Sequence, residues 1–76
     1  MDEIPYKGCI IKAVPDQLAD DGSWTTNVSI IRHLGDTTTE QRFSARNTYQ
    51  TKEEAIHYCL DFGKRIIDGL ADVSLD

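Results

Sequence analysis

The strongest constraint in this sequence is Thr51-Lys52-Glu53-Glu54 and the apolar stripe beyond it. A threonine with glutamate three residues on is a capping box: the Thr51 hydroxyl accepts from the backbone N–H of residue 54, and the Glu54 carboxylate reaches back to the Thr51 N–H. Beyond it Ile56, Cys59, Leu60, Gly63, Ile66, Ile67 and Leu70 recur at helical spacing, with Glu53, Glu54, Asp61, Lys64, Arg65 and Asp68 on the other side. The spacing predicts a helix over residues 52–69, ended by Gly69 or just after Leu70, with residues 71–76 as a frayed acidic tail. A helix with one apolar stripe must lie across a second element. That element has to come from the residues before it.

Those residues read as strands. Residues 7–14 are rich in β-branched and apolar side chains, stop at Pro15, and alternate Cys9, Ile11 and Ala13 against Lys12. Asp16 to Gly22 is an acidic, polar loop closed by Asp21-Gly22. Residues 23–33 carry a period of two, with Trp24, Val28 and Ile30 on one side and Thr25, Asn27, Ser29 and His33 on the other; Ile31 falls on the polar side. Leu34 to Thr39 lacks the two-residue hairpin signal and reads as a longer hairpin loop around Gly35-Asp36. Residues 41–49 alternate Phe43, Ala45 and Tyr49 against Arg42, Ser44, Arg46 and Thr48.

Short connections favour an antiparallel meander with the second strand central and the helix folded back over one face. The expected fold is therefore α+β: a two-layer β-β-β-α domain, a three-stranded antiparallel meander with one C-terminal helix. The 76 residues make a single domain, since so short a chain encloses only one core. The helix should run parallel to the central strand, starting near Trp24 with its midpoint near Val28. Gly63 then marks where helix and sheet come closest, because a mid-helix glycine costs about 1 kcal/mol relative to alanine and needs a packing reason.

The chemistry-bearing residues are few. His33 and His57 have no Cys, Asp or Glu at zinc-ligand spacing, so no metal is expected. His57 and Asp61 stand at i and i+4, which reads as a surface helix pair, because no nucleophile adjoins them. Cys9 and Cys59, without CxxC spacing, are expected to be buried reduced thiols. Phe62-Gly63-Lys64-Arg65 lacks the upstream glycine of a phosphate loop, and Asp16, Asp20 and Asp21 lack the alternation of a calcium loop. Neither an enzyme nor a cofactor site is expected.

With 13 acidic against 8 basic residues the chain carries a formal charge of -5, which repels nucleic acid and anionic membranes alike. No apolar run is long enough to cross a bilayer, and Met1-Asp2-Glu3-Ile4-Pro5 does not read as a signal peptide, so the expected location is cytoplasmic. The sheet face away from the helix nevertheless collects Lys12, Asn27, Ser29, Ile31, His33, Arg42, Ser44 and Arg46, together with Ile10 and Tyr6. A basic-to-neutral face on an acidic protein is the candidate interaction surface, with Lys12, Asn27, Ile31, His33, Arg42 and Arg46 as its candidate contacts. Three kinds of partner could use it: a second copy, through that face or by edge pairing of the first or third strand; a different protein; and single-stranded nucleic acid. The last is disfavoured by charge and by a face with no aromatic but Tyr6 on which to stack bases.

The element order resembles the last three strands and final helix of a double-stranded-RNA-binding domain. That family places lysines at the start of its last helix, where this chain has Thr51-Lys52-Glu53-Glu54-Ala55. More closely, Tyr6-Lys7-Gly8, Asp21-Gly22-Ser23-Trp24, Thr51-Lys52-Glu53-Glu54-Ala55 and Cys59-Leu60-Asp61-Phe62-Gly63-Lys64-Arg65-Ile66-Ile67-Asp68-Gly69 resemble a family of small uncharacterised bacterial domains of β3α form. The resemblance implies a bacterial, cytosolic, stand-alone domain and brings no catalytic residues with it. The functional expectation is a non-enzymatic interaction domain that binds protein, self or partner, through its open sheet face; the alternatives are a nucleic-acid-binding domain of double-stranded-RNA-binding-like fold and a small enzyme.

Overall fold

A computed structural model of the chain describes residues 2–69 and 74–75. Its elements are β1 (Glu3–Tyr6), β2 (Cys9–Ala13), β3 (Trp24–Leu34), β4 (Thr37–Tyr49), α1 (Lys52–Ile67) and a two-residue β5 (Ser74–Leu75). The strands form one antiparallel sheet in the order β1-β2-β3-β4-β5, and α1 packs across one face of its four longer strands. The α+β class and the helix on one face are as the sequence predicts. The strand count is not.

The expected first strand, 7–14, shortens to β2, and a strand not expected from the sequence, β1, precedes it. Lys7 and Gly8 both take positive φ, 47° and 79°, and so form the two-residue turn whose twist suits an antiparallel hairpin. Residues before the turn pair back as β1, Glu3 opposite Lys12 and Ile4 opposite Ile11. The loop expected over Leu34–Thr39 is likewise a tight hairpin: Gly35, at φ 62°, occupies the first turn position and Leu34 already faces Thr37. β4 therefore begins four residues before the expected 41. The tail expected over 71–76 contributes β5, with Leu75 opposite Phe43 and Ser74 opposite Ser44; its other residues lie outside those described.

The helix starts where the capping box puts it, with the Thr51 hydroxyl accepting from Glu54 N–H at 3.1 Å. It ends at Asp68, one residue ahead of Gly69 at φ 74°. Its buried line is Ala55, Cys59 and Gly63, three small residues four apart, flanked by half-buried Leu60, Phe62, Ile66 and Ile67. Small side chains let the helix axis lie close to the sheet. The closest approach is at Gly63, but against β2 rather than Val28 of the central strand: a Cβ there would overlap Ile11 Cγ2. The helix runs from Trp24, whose ring lies 5.7 Å from Lys52 Nζ, to the β1–β2 turn, where Asp68 accepts from Lys7 and Tyr6. It thus crosses the sheet toward β1 and β2. Ile11 and Val28 are fully buried beneath it, with Cys9, Ile30 and Phe43 around them.

Candidate interaction face

Cross-strand register fixes what the uncovered face presents. Glu3, Lys12, Ser29 and Arg42 stand opposite one another across β1 to β4 as one row, and Pro5, Ile10, Ile31 and Glu40 form the next. Five of the six expected contacts take ordered places here. Lys12 and Arg42 flank Ser29, Ile31 lies between Ile10 and Glu40, Asn27 faces Ser44, and His33 faces Thr38. His33 Nδ1 is 3.0 Å from Thr38 Oγ1, and Asn27 Nδ2 donates to Thr25 Oγ1 at 2.7 Å.

Arg46 is the exception. The ladder steps from Thr26 opposite Ala45 to Thr25 opposite Thr48, so Arg46 and Asn47 form a bulge with no opposing residues, held where Thr26 Oγ1 donates to the Asn47 carbonyl at 2.7 Å. Arg46 thus stands outside the cross-strand rows. Tyr6 is a second correction: it sits on the helix side, packed on the core, with its hydroxyl donating to Asp68.

Ser29 is 1% exposed although it is on the face that no element among the described residues covers. Its neighbours in the row, Lys12 on β2 and Arg42 on β4, are both exposed and carry long alkyl stems, of the kind that cover apolar surface while the charge stays in water. Ile10 and Ile31 are half-buried beside them. Toward the other end, Val14, Asp16, Asn27 and Arg42 border a shallow depression of about 270 Å³. Among the described residues the ion pairs are Lys7–Asp68 and Asp61–Arg65, so Lys12, Arg42 and Arg46 are unpaired there. Glu3 and Glu40 put acids at two corners of the face; the sequence reading omits both because it does not extend strands over their segments.

The other chemistry-bearing groups do not converge. His33 is near the β3–β4 turn on the open face, whereas His57 is on the helix, edge-on to Tyr58 at 5.2 Å. Asp61 turns to Arg65 at 3.2 Å, so the expected His57–Asp61 pair gives way to this one. Both cysteines are free and buried; burial pushes the Cys59 thiol up, away from the reactive thiolate, and Cys9 Sγ accepts from Arg32 Nε at 3.3 Å. Among the described residues no three metal-ligating side chains cluster. On the helix side a groove of about 290 Å³ runs between α1 and β4, walled by Tyr49 and Tyr58, whose rings stack at 4.6 Å, with Phe62, Asn47 and the Asp61–Arg65 pair. No helix among the described residues is long and apolar enough to cross a membrane.

Comparison with protein-family models, curated proteins and solved structures finds no match to this chain.

Proposed function

We propose that this is a non-enzymatic binding domain whose open sheet face takes a protein partner. The observation that carries the reading is the pair of adjacent rows: two exposed cations flanking a buried serine, beside two half-buried isoleucines that no element among the described residues covers. A solvated face gains nothing from apolar residues at its centre, whereas an interface combines an apolar centre with charges that orient the partner. The complementary surface is an apolar side chain flanked by carboxylates. Such a partner meets attraction locally at Lys12 and Arg42 even though the whole domain is acidic, because charges more than about 10 Å away are largely screened at physiological salt.

Peptides carrying one leucine or phenylalanine between glutamates, titrated into labelled protein, test this. Amide shifts are expected at Lys12, Ser29, Ile31 and Arg42, weakened by salt and abolished by Lys12→Glu/Ile31→Asp. Shifts confined to the α1–β4 groove, or none with any peptide, would sink the reading. A response to single-stranded oligonucleotides in place of peptides would move it to nucleic acid.

A further inference from the structure

The two edges of the sheet are guarded differently. β1 is four residues long, and Pro5 removes one of its backbone donors, two devices that stop a strand from pairing with another chain. β4 is 13 residues long and has no proline. Among the described residues its outer edge is occupied only at Phe43 and Ser44, by the two residues of β5. Every residue from Thr37 to Arg42 is exposed, three of them β-branched threonines suited to a ladder.

The regular part of β4 begins at Thr37, directly after the hairpin turn, and runs to Ala45, directly before the bulge at Arg46 and Asn47. Its midpoint is Gln41. A two-fold axis through Gln41 would pair two such stretches antiparallel, in a register that is self-complementary. Gln41 meets the second copy's Gln41 on the helix side. Glu40 meets Arg42, and Arg42 meets Glu40, on the open side, where both already point as the partners of Ile31 and Ser29. Thr38 meets Ser44. A register centred on Glu40 or Arg42 would instead set like charges opposite one another.

We infer that the β4 edge binds a second copy of this chain, by two-fold antiparallel pairing centred on Gln41, with β5 as its intramolecular competitor. Pairing extends the sheet across the dimer and sets two open faces side by side. A ladder of this length is at the weak end of interfaces that hold dimers, so the association depends on concentration. It is independent of the open-face reading, because Lys12→Glu/Ile31→Asp alters that face and leaves the edge intact.

Sedimentation equilibrium from about 5 to about 500 μM, with circular dichroism confirming that each variant folds, tests the inference. Wild type should pass from monomer to dimer over that range, and so should Lys12→Glu/Ile31→Asp. Glu40→Arg alone places two cations opposite each other and Arg42→Glu alone two anions, twice per dimer. Each should weaken association about tenfold or more. Glu40→Arg/Arg42→Glu together restores complementarity and should restore the dimer, a result that a contact elsewhere on the molecule would not give. A wild-type monomer at every concentration overturns the inference. So does a dimer indifferent to the single changes, or one that the double change fails to rescue.

Discussion

Two residues on opposite faces of the sheet reach nearly the same burial by opposite means. Ile11 is sealed by a second layer: the helix comes down on it at Gly63, so closely that a methyl group would not fit. Ser29 is buried in the row between Lys12 and Arg42, with no second layer over it among the described residues. Burial on the first face is therefore a tertiary contact, and its loss costs folding energy. Burial on the second involves no packing against another layer among the described residues, so a bound surface there adds to it rather than displacing a core contact. Relative exposure alone makes the two positions look alike. The energetics should separate them.

The sharpest way to break the comparison is at the helix contact. Ile11→Ala empties a fully buried site and should cost about 2–5 kcal/mol. Gly63→Ala gains about 1 kcal/mol of helix propensity, but forces Ile11 or the helix to move, a strain of about 1–3 kcal/mol. Its melting temperature should fall; a rise would show that the helix does not sit close to β2. In the double variant the alanine methyl enters space that isoleucine has vacated, so the two losses should not add. Urea unfolding of all four proteins measures this coupling directly. Additive losses would mean that the two residues are not in contact.

Legibility in the sequence divides along the same line. The helix is legible because its start is a local hydrogen bond and its face a simple period, both written in consecutive residues. Gly63 points to a close approach for the same reason, although the strand it meets is β2 and not the expected β3: the helix crosses the sheet, and one chain's period says nothing of the angle. β1 escapes a sequence reading because four residues with a proline hardly resemble a strand, and because its turn is Lys7-Gly8, where lysine takes a φ usually left to glycine or asparagine. The first half of β4 escapes it because that stretch is polar on both faces. Ser29's enclosure and Arg46's displacement depend on cross-strand register, which no single strand encodes. Of the candidate face, the membership is largely legible and the arrangement is not.

A smaller test lies where the helix end meets the β1–β2 turn. Asp68 accepts from Lys7 Nζ at 2.6 Å and from the Tyr6 hydroxyl at 2.7 Å, and these donors hold its carboxyl below the usual range. The same contacts raise Lys7 and Tyr6 above theirs. For Asp68 the stabilisation is complete above about pH 4, where the unfolded carboxyl is ionised, and fades as acid protonates the folded group. For Lys7 and Tyr6 it is complete below about pH 10 and fades as pH rises through the raised folded values. The melting-temperature gap between wild type and Asp68→Asn should accordingly form a plateau between those limits, narrow at both ends, and shrink in high salt because the pair is exposed. A gap flat through pH 3 would detach this clasp from the stability of the fold.

The smallest expected effect on stability is on the open face, and its smallness is informative. Lys12→Glu puts a carboxylate opposite Glu3 and beside Ser29, yet both acids are exposed and can turn to solvent. The change should stay within about 0.5 kcal/mol, as for surface substitutions generally. Lys12→Ala should do no more. If either unfolds the domain as readily as Ile11→Ala, the lysine stem belongs to the core and the face cannot exchange it for a partner. If both leave unfolding unchanged while peptide binding disappears, the lysine is there for the partner and not for the fold.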